Sequence, residues 1–279
     1  MHRQSNFAMT AIDTNDARVR AVSLCRADKV LLGGAAVVGS SALLTAMPIA
    51  VGASAALLAV LTDGIFRPSS SVLYPTISHG PRDRRQVALT FDDGPDPLVT
   101  PTILAALQEA GARATFFVIG RHLEKHSEIG VRALQDGHEL CNHSWMHSYF
   151  QNFYGNGQQR SDLERSTRLI QELTGSAAEP LYRPPVGLKS PALARVAHAR
   201  KLKVIAWSLH SRDTFARDPA ATAASVLSRI APGDIVLMHD GHERDASHRN
   251  LAAAALPQIL RGLRERGLSC VTVSELLRP

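Results

Sequence analysis

The chain has 279 residues, 45% of them hydrophobic, enough for one sizeable domain with an appendage and too apolar for a disordered chain. Its formal charge is +6, scattered along the sequence, and only 5% of residues are aromatic, which argues against a nucleic-acid partner and fits anionic lipid headgroups or an anionic substrate better. The three separated cysteines, Cys25, Cys141 and Cys270, form no CxxC pair, so neither a thiolate zinc knuckle nor a disulfide framework is indicated.

Residues 1–29 are polar, and residues 30–62 then run without a single charge. A stretch of roughly 20 apolar residues crosses a bilayer once, so this run predicts a membrane segment. It reads as one long or tilted span, or as a helical hairpin turning near Pro48 with two rather short arms. A cleaved leader is a weaker third reading: Ala53-Ser54-Ala55 resembles a cleavage site, but the apolar run continues past it. Arg18, Arg20, Arg26 and Lys29 flank the run on one side, and Arg67, Arg82, Arg84 and Arg85 on the other. Basic residues on both sides favour a hairpin with both ends cytoplasmic, and leave a single span open. The expected address is a bacterial-type inner membrane, with the side of the following domain undecided.

After a linker over residues 63–84, a domain over 85–279 alternates strand-like and helix-like segments. Strands are predicted at 87–91, 114–119, 138–141, 181–183, 204–207, 234–238 and 268–273. Helices are predicted at 101–109, ending near Gly111, then at 126–136, 161–173 with a stop at Gly175, 191–199, 220–230 and 251–264. This alternation implies an α/β fold of parallel strands with crossover helices, and an open doubly wound sheet and a barrel both satisfy it. The polar singularities favour the barrel, because Asp92-Asp93, His143, Arg183, Asp213 and His239 all fall just after strands, where a barrel collects its reactive groups.

Asp92 and Asp93 follow the apolar strand VALTF and precede Gly94-Pro95. Adjacent carboxylates repel, so a cation or hydrogen-bond donors are expected between them, although Asp-Asp-Gly is also an ordinary loop tip. His143 and His147 in NHSWMH are four apart, which would set both imidazoles on one helical face able to chelate a metal. With an aspartate they make a His-His-Asp set that leaves positions open for water, as a Lewis-acid site requires. His239 ends the apolar strand of IVLMHDGH, and Arg183 opens the rigid RPPVG segment, where it can grip a carboxylate.

Taken in order, TFDDGP, NHSWMH, RPPVG, WSLHSRDT and LMH resemble the signature segments of the polysaccharide deacetylase family, the carbohydrate esterase family 4 domain of chitin, chitooligosaccharide and peptidoglycan deacetylases. The resemblance implies a distorted (β/α) barrel of about seven strands and a hydrolase that removes an N-acyl group from an amino sugar. It implies Asp93, His143 and His147 as ligands of a divalent metal ion, with zinc the usual choice, and Asp92 as general base oriented by Arg183. It implies His239 as general acid, kept protonated by Asp213, and a backbone N–H in the third segment as oxyanion donor. Pro184 and Pro185 have no N–H, so Val186 is the first residue after Arg183 able to donate. The chain departs from the family pattern where His210 replaces an aspartate, Thr214 a tryptophan and Val186 a common aromatic; these positions bear on substrate choice rather than on the catalytic atoms. The implied substrate is a polysaccharide, an oligosaccharide or, given the membrane segment, a lipid-linked amino sugar. A deformylase or amidase acting on another amide, and a carbohydrate-binding module without activity, are the alternatives.

Overall fold

The computed structural model of the chain describes residues 24–43, 47–175, 180–214, 218–241 and 251–279. The flanking Arg18 and Arg20 lie outside them. Nine strands are present among the described residues: β1 (Thr76–Ile77), β2 (Gln86–Asp92), β3 (Thr115–Val118), β4 (Glu139–Asn142), β5 (Leu181–Tyr182), β6 (Lys203–Ile205), β7 (Leu209–His210), β8 (Ile235–His239) and β9 (Ser269–Cys270). They pair in parallel throughout, in the spatial order β1-β6-β5-β4-β3-β2-β8-β7, with β9 beside β2. The row curls into a distorted (β/α) half-barrel, since β1 and β7 end it without pairing with each other.

Side-chain alternation along β2 shows how the layers form. Val87, Leu89 and Phe91 turn outward into the main core, where they meet Ile103, Leu104 and Leu107 of α3 (Thr100–Ala110) and Leu256 and Ile259 of α9 (Leu251–Glu265). Ala88 turns inward, onto a smaller cluster with Phe117, Cys141, Ile205 and Ile235. The same parity carries Thr90 and Asp92 to the inside, so the barrel floor is apolar and its upper layer polar. Val273 and Leu276 of the short α10 (Val273–Leu276) join the inner cluster.

The remaining helices of the domain are α4 (Gly120–Lys125), α5 (Ser127–Gln135), α6 (Asn156–Thr174), α7 (Pro191–Ala199) and α8 (Pro219–Arg229). Gly111 and Gly175 stop α3 and α6 as expected, each in the left-handed conformation that a glycine adopts without a Cβ clash. The strand expected over 268–273 shrinks to two residues because a capping box takes over its end. Thr272 accepts the Glu275 N–H, and the Glu275 carboxylate accepts the Thr272 N–H, which starts α10.

Before the domain, α1 (Arg26–Leu43) and α2 (Met47–Phe66) pack against each other. Gly34 of α1 leaves the space that the Leu57 side chain of α2 fills; any Cβ there would overlap it. The foot of the pair is docked on the domain. Cys25 and Ala27 pack with Leu73 and with Ala194 of α7, and Arg195 Nε holds Asp28 Oδ1 at 2.6 Å. From the other arm, the Ile65 carbonyl accepts the Lys189 N–H at 3.1 Å.

Candidate active site

The polar layer of the barrel is organised around Arg183, which follows β5 and is wholly buried. Its Nη1 donates to Asp92 Oδ1 at 2.6 Å and to Thr90 Oγ1 at 2.7 Å, and its Nη2 donates to the Ala206 carbonyl at 3.1 Å. The guanidinium lies over the Phe117 ring, 4.0 Å from its centre. A buried cation needs this completeness, since an unpaired one is expelled by its desolvation cost. Asp92 is thereby fixed by one oxygen, while the other, Oδ2, lies 3.7 Å from His143 Nε2.

Asp93, His143 and His147 come together as expected: one donor atom of each lies within 4.8 Å of the others. His147 Nε2 is 3.2 Å and His143 Nε2 3.5 Å from Asp93 Oδ1, a buried oxygen that forms no hydrogen bond. His143 Nδ1 donates to the Arg183 carbonyl at 2.8 Å, which leaves Nε2 as the nitrogen facing the cluster. Burial presses His147 down to about 4 despite the Asp93 carboxylate, so its imidazole is neutral and its lone pair available. Burial would raise the Asp93 carboxyl, but His143 above all holds it well below the usual carboxylate range.

The structure corrects one expectation about this pair. His143 and His147 are not on a helix; residues 143–150 form an irregular loop after β4, with Ser144 at φ 71° and His147 at φ 51°. Side chains replace the helical hydrogen bonds. Asn142 Oδ1 accepts the Ser144 N–H at 2.7 Å, Ser144 Oγ accepts the His147 N–H at 2.9 Å, and the Asp162 carboxylate of α6 accepts the N–H groups of Trp145 and Met146. Asp93, at φ 78°, is also left-handed, and its carbonyl accepts from His122 Nδ1 at 2.7 Å. Non-glycine residues at positive φ persist where surrounding contacts over-determine them, and they cluster at functional sites.

The neighbouring strands β7 and β8 bring Asp213 and His239 together at one end of the sheet row. Its Nδ1 lies 3.1 Å from Asp213 Oδ1, its backbone N–H donates to Asp213 Oδ2 at 2.8 Å, and Ser211 Oγ donates to Oδ1 at 2.6 Å. Burial alone would lower the pKa of His239, but the Asp213 carboxylate outweighs it and holds the imidazole up at about 9. Val186 stands where the third segment predicts an oxyanion donor. It is a β-branched residue at φ 57°, half-exposed, and among the described residues its N–H has no acceptor. Of the departing positions, His210 lies with its ring 5.9 Å from that of His239 and 6.2 Å from Trp207, and Thr214 is half-buried.

Asp240 is absent from the expectations. It follows His239 directly and is fully enclosed. Its carboxylate accepts the Gly94 N–H at 3.1 Å and the Thr100 hydroxyl at 2.7 Å, and its own N–H donates to the Asp92 carbonyl at 3.0 Å. Gly94 must be glycine, since a Cβ there would coincide with the Asp240 carboxylate. Burial, and then the Asp93 charge, push Asp240 up to about 7. The signal in the sequence is its place at the end of β8, beside His239.

Comparison with known proteins bears on the fold and the family. The polysaccharide deacetylase family profile matches residues 79–205. The chain is 35% identical to a peptidoglycan-N-acetylglucosamine deacetylase of Bacillus cereus, over 71% of this chain and 91% of that one. It is 34% identical to a chitooligosaccharide deacetylase of Sinorhizobium fredii, over 65% and 86%. Among solved structures, the Bc1960 peptidoglycan N-acetylglucosamine deacetylase superposes with a TM-score of 0.67 at 28% identity, covering 72% of this chain and 92% of that one. Fold, ordered segments and relatives coincide, and the chain belongs to the polysaccharide deacetylase family, as a hydrolytic N-deacetylase.

Proposed function

We propose that the chain removes the N-acetyl group from an amino sugar in a polysaccharide, an oligosaccharide or a lipid-linked sugar, using a divalent metal ion, zinc in the first instance, held by Asp93, His143 and His147. The relatives support the substrate class through their names, peptidoglycan-N-acetylglucosamine deacetylase and chitooligosaccharide deacetylase. The observation that carries the reading is the company kept by the three-donor cluster. A carboxylate anchored by arginine, Asp92–Arg183, and an imidazole anchored by carboxylate, His239–Asp213, both border it.

The donor set suits the ion. One buried carboxylate oxygen without a hydrogen bond and two imidazole nitrogens turned towards it, with no thiolate, match the preferences of zinc and related divalent cations. Such a cation, when bound, polarises the acyl carbonyl and makes water more acidic. The rest is assigned to groups of the chain itself. Asp92, with Oδ1 held by Arg183, uses Oδ2 to take the proton from the attacking water. The Val186 N–H supports the charge that develops on the carbonyl oxygen. As the carbon–nitrogen bond breaks, His239 Nε2 gives its proton to the departing amine, leaving acetate and a free amino sugar. Asp213 holds His239 in the protonated state this needs.

Residues 30–62 are assigned to the membrane, 63–84 to a linker that also ends α2 and lends the edge strand β1 to the sheet, and 85–279 to the catalytic domain, at a bacterial-type inner membrane. One helix among the described residues supports this: Pro48–Phe66 is long and apolar enough to cross a membrane, with mean hydropathy 1.9. The test of the activity is an acetate-release assay over chitooligosaccharides, peptidoglycan fragments and lipid-linked amino sugars. Exhaustive chelation should abolish release and added zinc restore it. Undiminished activity in protein shown by elemental analysis to be metal-free would defeat the reading, and formate in place of acetate would reassign the acyl group.

A further inference from the structure

As a whole, helix α2 is long enough to cross a membrane, but the uncharged stretches of the two arms are shorter than a span, and their charged ends lie together. The uncharged part of α1, residues 30–43, measures about 21 Å, and that of α2, residues 47–62, about 24 Å at 1.5 Å per residue, whereas the hydrocarbon core of a bilayer is about 30 Å thick. Both charged ends sit on the catalytic domain: Arg26, Asp28 and Lys29 open α1, and Asp63 and Arg67 close α2. The pair therefore projects from the domain as an uncharged finger with a charged root.

The finger's surface points to its surroundings. Ile49 and Val60 face one side of α2 at 100° per residue, and Val51 and Leu58 face the other; all four are exposed. A protein partner, including a second copy of this chain, covers one face of a helix; a helix apolar all round needs an apolar medium all round. The two hydroxyls of α2 are satisfied within the helix, as hydrocarbon demands: Ser54 Oγ donates to the Ala50 carbonyl at 2.9 Å, and Thr62 Oγ1 to the Leu58 carbonyl at 2.7 Å.

The root is joined to the active-site loop. Lys189 Nζ donates to the carbonyls of Arg67 and Pro68, at 3.0 and 2.6 Å, and Pro68 lies against Gly187, the neighbour of Val186. Val186, Pro185 and Leu188 in turn line one small cleft with Tyr149 and Asn152, beside the ligand loop. Exposed phenylalanines flank both sides of this junction in sequence: Phe66, just before Arg67, is 62% exposed, and Phe150 and Phe153, next to the cleft residues Tyr149 and Asn152, are 72% and 85% exposed. Exposed aromatic side chains, together with an apolar finger that has arginine and lysine at its root, have the composition of a membrane-water interface.

We propose that α1 and α2 form a re-entrant hairpin that enters the bilayer from one face without crossing it, and that Phe66, Phe150 and Phe153 rest on that same face. The mouth of the metal cluster then lies at the lipid surface, and the substrate is an amino sugar presented in the membrane plane. The inference rests on the reading of residues 30–62 as a membrane segment and not on the deacetylase assignment.

The test uses the full chain reconstituted into vesicles of equal parts phosphatidylethanolamine and phosphatidylglycerol. An environment-sensitive dye is attached in turn at Ile49→Cys near the fingertip, Phe153→Cys at the mouth and Glu109→Cys on α3. The native cysteines are buried or half-buried, and the unsubstituted chain gives the dye background. The expected result is brightening and brominated-lipid quenching at positions 49 and 153 and not at 109, with position 49 shielded from iodide on both sides. Quenching of position 49 by iodide trapped in the lumen would show a crossing hairpin and overturn the re-entrant topology. Lipid quenching at 49 with none at 153 would overturn the seating of the mouth. No lipid signal at either would overturn the membrane reading itself. Acetate release by the same preparations, measured on a soluble chitooligosaccharide, reports separately on the deacetylase assignment.

Discussion

Asp92 can act as a base only if burial beside a guanidinium leaves one of its oxygens uncommitted. Arg183 takes Oδ1, and Oδ2 faces the ligand cluster, so the carboxylate is split between anchoring and proton transfer. Asp92→Asn retains an acceptor for Arg183 and removes the base. Turnover should fall about 10²–10⁴-fold with the metal content unchanged by elemental analysis. The opposite end of the reaction has its own signature. His239 must carry a proton, and its pKa is raised to about 9, so activity should persist up to that pH and decline above it as the imidazole loses its proton. Asp92, Asp93 and His210 also act on His239, but Asp213 is the strongest raising influence. Asp213→Asn removes it while burial still lowers the imidazole, and the alkaline limb of the kcat profile should move down by about 1–3 pH units. A limb that stays put would show that some other group sets it.

At the scale of elements, the site depends on a loop that sequence spacing disguises. An i,i+4 histidine pair predicts a helix face, yet here two left-handed residues and three side-chain acceptors create the same convergence. The decisive partner, Asp162, sits on a different element, and no local pattern announces that contact. Asp240 offers the sequence only its place beside His239, because its carboxylate meets Gly94 and Thr100, 146 and 140 residues earlier in the chain. The long strands and the glycine-stopped helices were legible because their signals are local. The two-residue strands β1 and β7 are too short to show a period. Asp162→Ala should leave two backbone donors of the ligand loop without acceptors. Metal affinity, measured by competition with a chromophoric chelator, should drop about 10–100-fold, as when groups supporting a metal's ligands are lost. Wild-type affinity in this variant would mean that the ligands hold their own loop in place.

For the molecule as a whole, the parallel arrangement explains why single residues scattered over about half of the sequence could be assigned together. Strands that all run one way end on one face, so Asp92, His143, Arg183 and His239, each at or just past a strand end, must converge if the segments are strands at all. What this logic leaves undetermined is the attachment of the N-terminal pair, because the docking contacts pass through side chains with no periodic signal. Lys189 is the clearest of these. It is nearly completely buried, and its ammonium closes the end of α2 by donating to the carbonyls of Arg67 and Pro68. Cations are favoured at that end of a helix, where the carbonyls point outward. Three residues before it stands Val186, strained at positive φ with its N–H turned to no described acceptor. Lys189→Met preserves most of the apolar stem and deletes the donor, so the two carbonyls lose their partner at a cost of about 1–3 kcal/mol. The unfolding temperature should drop by several degrees, a shift of about 2–4 °C per kcal/mol for a domain of this size. If the root of the hairpin also steadies the Val186 loop, kcat should fall further than KM rises, since an oxyanion donor acts on the transition state rather than on bound substrate. An equal loss of stability with kcat unchanged would instead confine Lys189 to holding the hairpin on the domain.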